Sequence, residues 1–336
     1  MTNEAFALYQ YGTPASTNLP NGTKVFAVPV AKVATLQTSS NTYLEALGVG
    51  ANIMALSEEQ YVSSPCLQKG LANNFIIQIS SSNATFMVQI LAAPNGSRVE
   101  FYSTWFNLED SGNKISASIN DNYNCLRRAA ANINGNKPVV SWVSYSAPSE
   151  YTNNIPSTSK DFLVAIQNVD MIIDETYLAP TLSDIHSIFG ITNATAPTYR
   201  FVANQAILRE DGIQTVAGGR DWFESAVIFD DAVLADVIAT VWPGYPTAGY
   251  QRSWLRNVAK GETPKISTAA NCTGSVSTPR TDPAFACSGN FAAKSGASSV
   301  QAFGGFVVYG FDGLDIFALR SAWIVLCVMY YISIGG

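Results

Sequence analysis

The sequence predicts an α/β fold of two units with one long helix between them. Three observations carry this. Short β-rich runs alternate with helical patterns on both sides of the chain's centre. A proline-free stretch, 106–133, separates the two alternating regions. The apolar share, 47% of 336 residues, suffices for one large core or two smaller ones.

Taken in order, Lys32 to Leu36 reads as a strand. Ser40 or Asn41 then caps a short helix, Thr42 to Leu47, and Gly48 stops it. Phe75 to Ile79 and Phe86 to Leu91 are strand candidates. Phe106 to Ile133 reads as the long helix, with a weak point at Ser111–Gly112. Pro138 to Val143 is a buried strand, and Ser159 to Ile166 a helix capped by Ser159. Val169 to Asp174 is a strand, and Leu182 to Phe189 a helix ended by Gly190. Tyr199 to Ala203 reads as a strand. Asp231 to Val241 is an amphipathic helix with Val233, Leu234, Val237, Ile238 and Val241 on one face, ended by Pro243.

The resulting division is an extension, 1–24; a first α/β unit, 25–105; the helix, 106–134; and a second α/β unit, 137–243. A disulfide-containing tail, 244–300, and a hydrophobic segment, 301–336, follow.

Charged residues are only 13% of the chain, against a usual ~25%. The net charge is −6 and no basic run occurs, which excludes nucleic acid as the expected partner. Five Asn-x-Ser/Thr triplets start at Asn21, Asn83, Asn95, Asn193 and Asn271, and suit a glycosylated, extracellular or cell-surface chain. No charged and then apolar leader stands in residues 1–12, so for an exported protein the signal is expected to lie outside this sequence. Ser321 to Ile334 and Ala302 to Ile316 are apolar; they suit a membrane anchor or its removable signal, with a buried terminal helix as the alternative.

Of five cysteines, Cys272 and Cys287 flank a loop that a disulfide between them would tie down. Cys66 and Cys125 form the candidate second pair, Cys327 is left over, and spacing alone does not fix the connectivity.

Catalytic patterns are sparse. His186 is the only histidine; it sits in a helical pattern beside no nucleophile elbow. Histidine-rich metal sites are excluded by count, and Gly48–Val49–Gly50 is not a dinucleotide fingerprint. The carboxylate pairs Glu58–Glu59 and Asp230–Asp231 read as solvated turns or caps. What remains is a set of polar and aromatic loops at strand ends, where open α/β sheets place ligands.

Several segments together resemble a known family. They are KVATL (32–36), YLEALG (43–48), PVVSWV (138–143), VDMIIDETY (169–177), VANQAILREDG (202–212) and the run from Gly218 to Gly244. They are similar to the iron-siderophore and cobalamin class of periplasmic binding proteins. The segments ALYQYGTP, YVSSPCLQ, FNLE, DWFES and SWLRN resemble cell-surface, eukaryotic versions of that fold. The resemblance spans about residues 7–257. It implies two Rossmann-like lobes joined by one long helix, with a ligand cleft between lobes and little hinge closure. The sequons, cysteines and hydrophobic tail depart from bacterial members and set an importer partner in doubt.

The expected function is capture of a bulky small ligand, a ferric chelate, cobalamin or haem, by a monomeric, non-enzymatic protein with no built-in cofactor. The ligand would bring its own metal coordination, since protein ligands are few. The alternatives are a binding fold repurposed for structure or adhesion, and a hydrolase using a carboxylate pair. Ser39, Ser40, Tyr61 and Trp105 are the expected ligand residues of the first unit. Trp142, Tyr145, Tyr177, Arg220 and Trp222 are those of the second. Tyr and Trp give large rigid contact area, and Arg220 suits an anionic group.

Overall fold

The computed structural model describes residues 5–79, 98–133, 138–145, 163–176, 181–289, 291 and 332–334. The chain divides into two compact units. The first holds residues 1–122, 214–230 and 266–283, and the second holds 123–213, 231–265 and 284–336.

In the first unit, β1 (Phe6–Gln10) pairs in parallel with β2 (Lys24–Val28). A three-stranded parallel sheet follows, ordered β3 (Val33–Thr35), β4 (Ile53–Leu56), β5 (Ile77–Gln78). Helices α1 (Thr38–Ala46) and α2 (Pro65–Ala72) make the crossovers that parallel neighbours need. Pro65 at the start of α2 lacks a donor where none is needed, and the Ser64 hydroxyl caps Leu67 N–H. Residues 1–24 are therefore not an extension, because β1 belongs to this unit and Phe6 packs on Trp105. Helix α1 starts at Thr38, earlier than the sequence predicts; Gln37 precedes it without a side-chain cap, and Asn41 is buried inside it.

Helix α3 (Arg98–Thr104) leads into α4 (Glu109–Ala131), and the division between units falls inside α4, after Asn122. The predicted weak point at Gly112 does not break it. A Cβ there would lie 2.4 Å from Ser103 Oγ and 2.6 Å from Ser103 Cβ, so Gly112 lets α4 lie close against α3.

The second unit carries a five-stranded sheet in the order β10-β8-β7-β6-β12. Its strands are β6 (Val140–Tyr145), β7 (Met171–Asp174), β8 (Ile207–Arg209), β10 (Arg256–Asn257) and β12 (Ile332–Ile334). Only β10 runs antiparallel to its neighbour. The inner strands are buried on both faces, as parallel sheets require. Ile172, Val143 and Ile207 face Ile185 and Phe189 of α5 (Leu182–Phe189). Val140, Ile173 and Leu208 face Val237 and Val241 of α7 (Asp230–Val241).

Helix α5 has the predicted ends, with a reciprocal cap between Thr181 and Asp184 and Gly190 after it. Tyr199 to Ala203 is not a strand: Arg200–Ala203 is a helical turn, α6, and the strand lies later, at Ile207–Arg209. Phe201 fills the core from that turn, which explains the apolar signal. Helix α7 is not amphipathic, since Leu234, Ala235 and Ile238 also pack on Leu126 and Ala130 of α4. Asp236 is buried within it and accepts hydrogen bonds from Tyr250 Oη and the N–H groups of Ser253, Trp254 and Leu255. These bonds fix the return of the chain into β10, so residues 244–265 are part of the second unit rather than a tail.

The disulfides are Cys66–Cys272 and Cys125–Cys287, not the pairs favoured from sequence. Residues 266–283 belong to the first unit and 284–291 to the second, so Cys272 and Cys287 go with different units. The short strands β9 (Ile213–Thr215) and β11 (Lys265–Ser267) pair with each other. Phe86 to Leu91, the start of the Ser159 helix, the sequons at Asn83 and Asn95, and Cys327 lie outside the described residues. The hydrophobic segment does too, apart from β12. Among the described residues no helix is long and apolar enough to cross a membrane.

Candidate ligand site

In the first unit, the loop after β4 meets the loop Thr215–Glu224. Gly219 permits the meeting: a Cβ there would stand 2.7 Å from Tyr61 Cα. The Thr215 hydroxyl donates to the Gln60 carbonyl at 2.7 Å. The Gln68 side-chain amide donates to the Val62 carbonyl at 2.8 Å, and the Ser267 hydroxyl to the Ser63 carbonyl at 2.6 Å. Glu58 opens the first loop in the left-handed region, φ 58°, a conformation that a non-glycine residue keeps only when its surroundings impose it.

The two loops share a buried polar cluster. The Ser63 and Ser225 hydroxyls both donate to Asp221 Oδ1, and Ser63 N–H donates to Glu224 Oε2 at 2.6 Å. Ser64 Oγ donates to Glu45. Arg280 is the cation facing these carboxyls, 3.2 Å from Asp221 and 3.7 Å from Glu45. Burial, and next the charge of Asp221, push the Glu224 carboxyl up to about 8. Burial also raises Glu45, with Arg280 opposing it. Glu224 therefore keeps its proton at neutral pH. This relieves repulsion among three carboxyls that share one guanidinium.

The two loops also border a depression of about 270 Å³. Its lining comes from Glu59, Gln60 and Val62; from Gln68 and Leu71 of α2; from Thr215, Val216 and Ala217; and from Ser267 and Thr268. The two loops also expose Tyr61, Val216 and Phe223, which are 40%, 82% and 54% accessible.

Of the expected ligand residues, Tyr61 is exposed in the first loop, next to Gln60 and Val62 of the lining but not itself part of it, and Arg220 and Trp222 lie in the facing loop. Arg220 and Trp222 belong to the first unit, not to the second as expected from sequence. Arg220 is buried. Trp105 is 2% exposed, edge-on to Phe26 and Phe101 in the core, and is not a ligand residue. Ser39 and Ser40 sit half-buried in the first turn of α1, where Ser40 Oγ shares a hydrogen bond with Tyr102 Oη. Trp142 packs against the core on the α7 side of its sheet. Tyr145 ends β6, its side chain outside the described residues, and Tyr177 lies wholly outside them.

Sequence reasoning found the loop 218–224 but missed its carboxyls. The available signal was Asp221 and Glu224, two acids beside the apolar run Ala226 to Phe229 in a chain poor in charge. Nothing in the local pattern marked Arg280.

His186 lies on α5, its pKa lowered by burial. Among the described residues no group of three or more His, Cys, Asp or Glu is placed to hold a metal ion. In the second unit, buried Arg209 pairs with Asp174 and Asp211, and Arg256 with Asp211.

No family model matches the chain, and no curated protein matches it. Solved structures similar to it include a periplasmic heme binding protein from Pseudomonas aeruginosa, 9% identical, with a TM-score of 0.42. That match covers 70% of this chain and 99% of the other. A periplasmic binding protein from Veillonella parvula is 9% identical over 63% of this chain and 90% of its own, with a TM-score of 0.40. A possible iron-binding, periplasmic solute-binding protein from Staphylococcus epidermidis is 12% identical over 64% and 99%, with a TM-score of 0.39.

Proposed function

We propose that the chain is an exported binding protein that takes a small ligand at the strand-end depression of its first unit. The observation that carries this reading is the pair of loops tied to each other by buried hydrogen bonds while exposing Tyr61, Val216 and Phe223. Preorganised loops with exposed aromatic groups bind with little loss of conformational freedom. The two disulfides support export, since such bonds persist in oxidising compartments.

The depression is smaller than the ~300–1,000 Å³ that encloses a drug-sized ligand, so the ligand is covered on one side only. A flat, bulky molecule is the best fit to such a surface. A ferric chelate, haem or cobalamin is the class that the sequence resemblance suggests. Native mass spectrometry of the protein purified from its own source tests the reading. A bound chelate or tetrapyrrole is the expected result, and a protein that carries no ligand and gains none on incubation with these classes contradicts it.

A further inference from the structure

The triplet Asn271–Cys272–Thr273 is a sequon whose middle residue forms the Cys66–Cys272 disulfide. Asn271 ends a 3-10 turn, Ala269–Asn271, that packs on α2. Its Oδ1 accepts from Thr268 N–H and from Thr268 Oγ1, both at 2.9 Å. The acceptor is thus held twice, by its own cap and by the covalent bond of its neighbour. The exposed sequon residues Asn21 and Asn193 have no such tie, since no disulfide touches either turn.

We infer that closure of Cys66–Cys272 blocks glycosylation of Asn271, so that carbohydrate at Asn271 marks chains in which Cys272 was still open at the time of transfer. The inference rests on the export reading above. Transfer of a glycan requires the triplet to leave its turn and enter an enzyme, which is a local unfolding. Before the disulfide forms, residues 269–273 can unfold freely. Afterwards Cys272 is anchored to α2 across a sequence separation of 206 residues, and Cys66 is already made when Asn271 emerges. In the transfer, Asn271 Nδ2 attacks the anomeric carbon of a lipid-pyrophosphate-linked oligosaccharide. The C–O bond to pyrophosphate breaks, a C–N bond forms, one amide proton is lost and the lipid pyrophosphate leaves. In closure, two thiols lose two electrons and two protons to a protein disulfide, which becomes a dithiol.

The competition matters for the site, because Thr268, which holds Asn271, also lines the depression. A glycan on Asn271 would stand at its rim. Early closure of the disulfide keeps that rim bare.

The test is site occupancy by peptide mass spectrometry of the full chain, made behind a secretory leader in eukaryotic cells and read from cell extracts, so that secretion of a variant is not required. We expect high occupancy at Asn21 and Asn193 and low occupancy at Asn271. Asn271 occupancy should rise several-fold in Cys66→Ser, and equally in the unaltered chain synthesised under a membrane-permeant reductant. Two results overturn the inference: Asn271 occupied as fully in the unaltered chain as in Cys66→Ser, or Asn271 bare even when the bond cannot form. Carbohydrate at none of the three sites, in the unaltered chain or in Cys66→Ser, overturns the inference; the added leader directs the chain to the secretory pathway in any case, so this outcome does not bear on the export reading.

Discussion

Glu224 shows how one side chain can set a pH response. Its carboxyl is fully buried, accepts the Ser63 N–H, and has its pKa raised from an ordinary 4.5 to about 8 by burial and by Asp221. Between these values the unfolded chain releases the proton and the folded chain keeps it, so stability falls as pH rises from about 4.5 to 8 and is level above that. Glu224→Gln keeps the acceptor and cannot ionise. Chemical denaturation should find the variant close to the parent at pH 5, and more stable at pH 8 by on the order of a few kcal/mol. Equal pH profiles for the two would show that Glu224 is ionised in the folded state. Asp236 behaves as a clamp, with four donors converging on it. Asp236→Ala leaves the backbone N–H groups of Ser253, Trp254 and Leu255 without this acceptor, the last two of them buried, and should cost about 3 kcal/mol or more in denaturant titration.

Elements with strong local signals were legible in the sequence. Helix α5 has a Thr/Asp cap before it, Gly190 after it and an apolar face between, and the structure keeps those ends. The long helix was legible from the absence of proline, but its glycine was misread. Gly112 marks where α4 meets Ser103 of α3, a contact that no local pattern encodes. This gives a test with a definite sign. Gly→Ala inside a helix ordinarily stabilises by ~1 kcal/mol, whereas here the added methyl meets Ser103 and Gly112→Ala should destabilise by about 1–3 kcal/mol. A stabilised variant would refute the close packing. The Tyr199 to Ala203 segment fooled the reading because a four-residue apolar run serves a buried turn as well as a strand. The disulfide pairs were illegible because each joins segments that are distant in sequence. Loss of Cys66–Cys272 should cost about 3–5 kcal/mol, measured by denaturation of Cys66→Ser/Cys272→Ser against the parent.

At the scale of the whole molecule, the chain returns twice to its first unit, with residues 214–230 and 266–283, and both returns build the candidate site. The loop at 218–224 was visible from its aromatic and polar composition, but its assignment to a unit was not, because sequence order suggested the second. Trp105 was misplaced for a related reason: its partners Phe6 and Phe26 come from a stretch read as lying outside the unit or at its edge. The central claim is that this doubly returned site binds a small ligand. The most direct test is titration of the purified protein with ferric chelates, haem and cobalamins, followed by tryptophan fluorescence, for the parent chain and for Tyr61→Ala. Saturable binding to the parent, weakened about tenfold or more in Tyr61→Ala, is the predicted result. No binding across these classes, or equal binding by the parent and Tyr61→Ala, would contradict the account.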